Sequence, residues 1–392
     1  MVVAVPVGVA TPSLVLDLDV VERNIDRMAQ AAAAGGFTLR PHAKTHKCPQ
    51  LAALQLRAGA VGLTVATIGE AEVFADAGFD DLFIAYPLWL DGDRVGRLRR
   101  LAERARVAVG VDSVAAGQRL AEVMAPVDLA LLAGATGAIG RAPAAGRDRS
   151  AVRPVEATII EVMIEVDSGH RRSGVSPADA PGLAVALAGL GLRVRGLFTF
   201  PGHSYDPGAA DRAAREEEDA LARAAAAVRA AGVPVTVLSG GSTPSAAHVR
   251  SGGPVGELRP GVYVFNDAQQ LALGSCTEAQ IALAAATTVV SAPASDRFVL
   301  DAGSKALGAD RPAWTPGFGH LPHWPGALVS SLSEHHAVVT VPPGTELPRI
   351  GSTTLVVPNH VCSAVNLADE LVVTRGGAVI DRWPVAARGA HR

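Results

Sequence analysis

Between residues 20 and 270, short β-branched runs alternate with alanine- and leucine-rich amphipathic stretches, and this alternation constrains the fold more than any other feature of the chain. It is the pattern of repeated βα units. The strand candidates are TLRPHA, GLTVAT, DLFIAY, VAVGVD, DLALLA, TIIEVMIEVD, VRGLFTF and VTVLSG, and the helices between them include VVERNIDRMAQAAAA and AADRAAREEEDALARAAAAVRAAG. Eight strands, each with a helix, predict an α/β architecture of the TIM-type (β/α)8 barrel kind. A doubly wound open sheet is the alternative, because periodicity does not demonstrate closure. After about residue 275 the character changes to valine-rich runs split by Gly and Pro, among them HAVVTV, TTLVVP and DELVVTRGGAVIDRWP. These predict a mainly antiparallel β domain. Residues 1–19 are strand-like and precede the first helix, so the division expected is a barrel over 20–270 and a β domain over 1–19 and 271–392.

Composition excludes several classes. The net charge of −3, from 35 basic and 38 acidic residues, leaves no basic stripe and argues against a nucleic-acid partner. Cys48, Cys276 and Cys362 are odd in number and far apart, which is not a disulfide framework and fits a reducing compartment, the cytoplasm by default. The start MVVAVPVGVATPSLVLDLD lacks a basic leader and is interrupted by Pro6, Gly8 and Pro12, so it reads as one or two buried strands and not as a signal peptide. No apolar run reaches the roughly 18–20 residues that a membrane span needs. A soluble protein with no membrane partner is expected.

Four segments concentrate polar chemistry. RPHAKTHK, residues 40–47, follows a Gly35-Gly36 turn and leads directly into helical spacing, a strand-to-helix junction where α/β enzymes keep their chemistry. In a strand, His42, Lys44 and His46 share a face, and two imidazoles in a low-dielectric interior depress a lysine towards Schiff-base reactivity. An exposed basic turn is the competing reading. SGGSTPS, residues 239–245, follows a strand and offers backbone N–H groups with the Ser242 and Thr243 hydroxyls as a phosphate cradle, or else is a glycine-rich turn. Tyr263, in ELRPGVYVFND, is a further donor to that phosphate or a strand aromatic. EVDSGHRRSGV puts Asp167, His170, Arg171 and Arg172 after an apolar strand, with one arginine expected to face a ligand. PGHSYDPGAADR reads as a mobile loop over the barrel mouth.

PNHVCSAVN carries the fourth cluster. His360 and Cys362 are two apart, on one face of an extended chain and close enough to share a cation. A nitrogen–sulfur pair favours zinc over magnesium, and two ligands leave the sphere to a third residue or to water and substrate. A buried cysteine beside a strand-end histidine is the plain alternative. GHLPHW and His335-His336 are weaker rivals, set in loops without a Cys or acid at ligand spacing.

RPHAKTHK, the TPSLVLDLD start, SGGSTPS, LDAGSKAL and PNHVCSAVN occur here in the order found in the D-threonine aldolase and D-serine dehydratase family, the fold-type III pyridoxal-phosphate enzymes related to alanine racemase. The chain resembles that family over essentially its whole length. The resemblance implies a homodimer of barrel-plus-β-domain subunits in which Lys44 holds pyridoxal 5'-phosphate. It further implies that Arg172 faces the pyridine nitrogen and that Gly241, Ser242, Thr243 and Tyr263 contact the phosphate. His360 and Cys362 would hold a divalent metal, zinc favoured and manganese or magnesium possible. The expected reaction is retro-aldol cleavage of a D-threonine-like β-hydroxy-D-amino acid to glycine and an aldehyde, with His203 as the base. The alternatives are dehydration of a D-serine-like substrate, for which Cys362 in place of an aspartate speaks, and less so racemisation or cofactor carriage without catalysis. Where the family tends to show Glu-Glu-His-Gly, this chain has SEHHA at 333–337.

Overall fold

The structure is a computed structural model that describes residues 5–124 and 160–392. Strands Thr38–Leu39, Leu63–Val65, Asp81–Pro87, Arg106–Val111, Ile160–Glu165, Arg193–Phe198, Val237–Gly240 and Glu257–Leu258 follow one another in chain order around an eight-stranded parallel sheet. The first and second of these meet through a parallel bridge between His42 and Thr64, so the sheet closes into a barrel and the open doubly wound alternative is excluded. Membership of the ring differs from the expectation in one place. Strand Arg106–Val111 pairs directly with Ile160–Glu165, Val107 opposite Ile160. The DLALLA segment lies outside the described residues, and the eighth strand is Glu257–Leu258, too short before Pro260 to show a period in sequence.

The barrel interior is layered. Phe83, Ala108, Met163 and Phe198 fill its middle, with the two phenyl rings perpendicular and 5.0 Å apart. Beneath them, at the N-terminal ends of the strands, Arg40 is 1% exposed. It donates from Nε to Glu257 Oε2 at 2.8 Å and from Nη1 to Asp81 Oδ1 at 2.6 Å. This ion triad, in which Arg40 and Glu257 are buried, closes the bottom, which leaves the C-terminal end of the strands as the face open to ligands. Outside, the helices turn apolar faces to the sheet. Helix Leu18–Gly35 starts where the Asp17 carboxylate accepts the Val20 N–H at 3.2 Å and ends at Gly36, whose φ of 75° is left-handed. Helix Ala210–Ala230 packs through Ala213, Ala214, Leu221, Ala224 and Val228, mostly small side chains that let it lie close to the strands.

The second sheet has nine strands. The N-terminal strand Ser13–Asp17 lies within it, antiparallel to Leu283–Ala294 and parallel to Glu370–Arg375. The sheet is therefore mainly antiparallel, with one parallel pair made by the start of the chain. Of the expected N-terminal strands, only this one forms among the described residues; residues 1–4 lie outside them. After strand Ala378–Pro384 the chain returns to the barrel, where Ala387 N–H donates to Lys47 O at 3.0 Å and Gly69 N–H to Arg392 O at 2.8 Å. Among the described residues no helix is long and apolar enough to cross a membrane.

Burial pushes the Glu257 carboxyl up, but Arg40, Ser239 and Arg259 outweigh it and hold it below the ordinary carboxylate range. Its contribution to stability is complete above the unfolded value of about 4.3 and is lost as pH falls through the lower folded value. Arg40→Ala strands that carboxylate and is expected to cost roughly 3–5 kcal/mol at pH 7. Denaturant midpoints should show the deficit, and it should shrink at acid pH, where the stranded Glu257 takes up a proton.

Candidate active site

A cavity of about 470 Å³ opens where the C-terminal ends of the barrel strands face the second sheet. Lys44 lines it, but not from a strand. The strand stops at Leu39, and Ala43–Thr45 form a 3-10 turn in which His46 N–H donates to Ala43 O at 3.2 Å. The turn breaks the alternation expected of His42, Lys44 and His46. Only His42 stays with the lysine at the cavity. His46 is buried behind, its Nδ1 accepting from Cys48 N–H at 3.1 Å and its Nε2 3.2 Å from Gln55 Oε1. Burial pulls His46 down to about 4 and holds His42 well below the usual histidine range, with Lys44 and Arg259 adding to the latter. Burial also lowers the Lys44 ammonium; Cys362 opposes this and Arg172 reinforces it. The chain has three lysines. Lys47 is committed to Asn366 at 2.7 Å and Glu70 at 3.3 Å, and Lys305 to Glu334 at 2.7 Å, which leaves Lys44 as the lysine of the cavity.

Phe200 organises the wall beside it. Arg172 lies 5.0 Å and Lys44 Nζ 5.6 Å from the centre of its ring, both within cation–π range. Arg172 reaches this place through a turn in which the Asp167 carboxylate accepts the N–H groups of Gly169 and Arg171, the latter residue at φ 56°. Arg171 does not line the cavity, whereas His170 does. His203 is turned away. Its Nε2 sits 2.8 Å from Glu216 Oε2, and the expected base is not brought to the cavity. Nor is its segment free: Gly202–Tyr205 is a 3-10 turn held by buried Ser204, whose Oγ is 2.8 Å from Ser242 Oγ.

The anion cradle is narrower than the sequence implies. Ser242, Thr243, Gly241 and Gly261 line the cavity. The Gly241 N–H, however, donates to Glu217 Oε1 at 2.6 Å and the Ser242 N–H to Ser245 Oγ at 2.9 Å, so these two backbone donors are spent inside the protein. Gly261 permits a close approach, because a Cβ there would lie 2.5 Å from Thr45 Oγ1. Tyr263 is not at the cavity; it is 4% exposed, and its hydroxyl accepts from Gln55 Nε2 at 3.0 Å. Tyr205 occupies the wall instead, its phenol held protonated by burial. Arg259 also lines the cavity, with its guanidinium given to Ser239 Oγ at 2.6 Å and Thr199 O at 2.5 Å. Sequence reasoning missed Tyr205 and Arg259 as cavity residues and named His170 without giving it a role, although the ELRPG that holds Arg259 stood beside the tyrosine it singled out.

The second sheet supplies the opposite wall. Strand Thr353–Pro358 ends at Asn359, and His360 is the N-cap of helix Val361–Leu367, so His360 and Cys362 are joined by a helix start and not by an extended chain. They still face one cavity. Cys362 Sγ lies 3.4 Å from Thr45 Oγ1, next to Lys44. Burial pushes the Cys362 thiol up, but His360, Lys44 and Thr45 outweigh it and leave the thiol below its ordinary value. Cys362 in turn raises His360 well above the usual range, with Asp267 contributing. His360 Nδ1 is 3.6 Å from Asp267 Oδ2, too long for a hydrogen bond, and this buried nitrogen has no hydrogen-bond partner. Among the described residues no three His, Cys, Asp or Glu side chains converge as metal ligands. The rival histidines do not gather either: His320 pairs with Glu278 at 2.8 Å and His335 stands 3.5 Å from Lys305. The partnerless His360 nitrogen and the depressed Cys362 thiol are two donors that fit a divalent cation whose remaining positions are left to water and substrate, too few for a structural site. The half-buried lysine, the paired hydroxyls and the cationic wall likewise fit a phosphorylated aldehyde.

The alanine racemase N-terminal domain family matches residues 16–269, and a serine dehydratase domain matches residues 282–374. A D-threonine aldolase of Arthrobacter sp. is 34% identical over 98% of this chain and 94% of its own length. A D-threo-3-hydroxyaspartate dehydratase of Delftia sp. is also 34% identical, over 90% of this chain and 91% of its own; its cysteine-to-alanine variant has been solved in a metal-free form. The crystal structure of D-threonine aldolase from Filomicrobium marinum superposes with a TM-score of 0.83 at 33% identity, covering 99% of this chain and 98% of that one. The chain belongs to the fold-type III pyridoxal-phosphate enzymes, in the branch of the D-threonine aldolases and D-hydroxyaspartate dehydratases. It is a pyridoxal-phosphate-dependent lyase.

Glu217, beneath the cradle, is fully buried; burial pushes its carboxyl up to about 8, and its Oε2 has no hydrogen-bond partner. Because the folded value lies above the unfolded one of about 4.3, stability falls as pH rises between the two. Glu217→Gln keeps the acceptor for Gly241 and cannot ionise. Thermal midpoints are expected to approach those of the wild type near pH 4 and to exceed them at pH 8–9 by the equivalent of at least about 1 kcal/mol.

Proposed function

We propose that the protein cleaves a β-hydroxy-D-amino acid of the D-threonine kind into glycine and an aldehyde. The observation that carries this reading is the approach of Cys362, with His360 behind it, to Thr45 and Lys44 across the cavity. A cofactor-holding lysine and a metal-competent pair then act on adjacent carbons of one substrate. Lys44 would hold pyridoxal phosphate, with Ser242, Thr243 and Gly261 around the phosphate and Arg172 at the ring nitrogen. Bound there, the cofactor supplies an electron sink for the pair left on the α-carbon. A divalent cation at His360 and Cys362, with zinc favoured by the thiolate, supplies Lewis acidity that makes a β-hydroxyl easier to deprotonate.

The residues of the chain set the rest. Phe200 keeps Arg172 and Lys44 side by side, so an arginine in place of an acid at the ring nitrogen leaves that nitrogen unprotonated and moderates the sink. Tyr205 stands in the wall as a protonated phenol. For the base we assign His170 in place of His203. Burial, Arg172 and His203 hold its imidazole below the usual range, so it is neutral at pH 7 and can accept the hydroxyl proton. The equal likeness to a dehydratase and the cysteine at position 362 support a second reading, in which Lys44 removes the α-proton and hydroxide leaves towards the metal pair. We also propose a homodimer, for which half-exposed Tyr86 and Trp89 offer an apolar contact.

Incubation with D-threonine is expected to release glycine and acetaldehyde; 2-oxobutanoate and ammonia in their place would establish the dehydratase reading. Borohydride reduction of the holoenzyme should fix the cofactor on the peptide containing Lys44, and Lys44→Ala should abolish both the adduct and turnover. An adduct on Lys47 or Lys305 would refute the assignment.

The metal is tested separately. Chelation should remove activity while the cofactor absorption persists, and a divalent ion should restore it. Cys362→Ala should lose most of its bound metal and at least about a hundredfold in kcat, in line with the loss of a Lewis acid. A metal-free and fully active Cys362→Ala protein would defeat the metal-assisted mechanism for either reaction.

A further inference from the structure

Lys47 and Glu70 form a buried ion pair that the chemistry of the cavity does not use. They are 5% and 2% exposed, and neither lines the cavity. Each polar group of residue 47 nevertheless holds a different element. Its N–H donates to Ala43 O at 2.8 Å and closes the turn that carries Lys44, at a φ of 50° that a lysine keeps only where its surroundings impose it. Its carbonyl accepts the Ala387 N–H of the segment that follows the last strand. Its ammonium lies 3.3 Å from Glu70 Oε1, on helix Ile68–Asp76, and donates to Asn366 Oδ1 at 2.7 Å, on helix Val361–Leu367. Glu70 is itself fixed, because its Oε2 accepts the Ala66 N–H at 2.7 Å.

Asn366 stands one helical turn after Cys362, on the same face of that helix. Two contacts therefore cross from the Lys44 turn to the helix, Thr45 to Cys362 at 3.4 Å and Lys47 to Asn366. The first is a weak thiol contact, and the second is charge-assisted and much the stronger. Asp267 pins the start of the helix through the Val361 N–H. A helix pinned at one end can pivot about it, and a pivot carries Cys362 away from Lys44. We propose that Lys47 is a positioning residue for the lyase reaction, which locks the far end of helix Val361–Leu367 so that Cys362 meets the cofactor lysine at one fixed separation. A buried ion pair adds little stability over apolar side chains of the same volume, and fixing this geometry is what it is kept for. The inference rests on the preceding reading for what Cys362 does, not for how it is held.

The test removes the contact to the helix and spares the ion pair. Asn366→Ala leaves Lys47 with Glu70, and Asn366→Asp keeps an acceptor for the ammonium. The Asn366→Ala holoenzyme should keep its cofactor and metal, yet lose about ten- to a hundredfold in kcat on whichever β-hydroxy-D-amino acid it turns over, with KM changed by less than about twofold. Asn366→Asp should recover most of the rate. Amide hydrogen exchange over residues 361–367 of the holoenzyme should quicken by at least about tenfold in Asn366→Ala and stay near the wild-type rate in Asn366→Asp. A lower melting temperature with kcat unchanged would make the contact purely structural and overturns the proposal. So does a loss carried by KM and not by kcat, or exchange at the wild-type rate in Asn366→Ala. Exchange is read without substrate, so the two readings separate: if the helix loosens in Asn366→Ala and wild-type turnover proves independent of metal, the role given to Cys362 falls and the positioning by Lys47 stands.

Discussion

Everything at the cavity depends on one buried carboxylate. Asp267 is fully buried at the end of the barrel, and its two oxygens start two helices. Oδ1 accepts the Gln270 N–H at 2.8 Å, and Oδ2 accepts the Val361 N–H at 3.1 Å while standing 3.6 Å from His360. A carboxylate without water around it is costly to bury unless its hydrogen bonds are made, so the barrel end and the His360–Cys362 turn are held in one relative position. Shift that turn and Cys362 leaves Thr45, and the lysine loses its neighbour across the domain boundary. The relative position of Lys44 and Cys362 is thus tied to a carboxylate that lies outside the cavity lining.

The site is made from two sources that share few contacts in sequence. The barrel contributes Lys44, the hydroxyls of the cradle and the cationic wall around Phe200. The β sheet contributes the imidazole and the thiol. Each half alone is incomplete: a lysine without the thiol lacks the charge that partly restores its ammonium, and the thiol without the lysine loses part of what lowers it. Such mutual dependence means that the protonation of the pair is a property of the joined structure, and coupled groups of this kind titrate together.

Much of this was legible in the sequence. Alternation of strand and helix patterns is a property of burial and survives in composition, so the barrel could be read before its closure was visible. What escaped was local. Glu257–Leu258 is two residues long and carries no period. His42, Lys44 and His46 have the spacing of a strand, but the chain leaves the sheet at Leu39 and coils, and nothing in RPHAKTHK distinguishes a turn that buries its histidine from a strand that displays it. His360 and Cys362 were paired for a reason that did not hold, since a helix start also places residues two apart near one another. Tyr263 and Tyr205 are both aromatic donors near glycine. Which of them faces the cavity is decided by Gln55, which captures the hydroxyl of Tyr263 from a helix far away in sequence.

The place of strand Ser13–Asp17 in the second sheet has a consequence for how the molecule comes into being. It is made before any other strand described, yet both of its partners, Leu283–Ala294 and Glu370–Arg375, belong to the last third of the chain. During synthesis it must wait, unpaired, while the intervening barrel is produced, and contacts of such sequence separation are slow to form. Once it docks, it acts as a seam between segments far apart in the sequence.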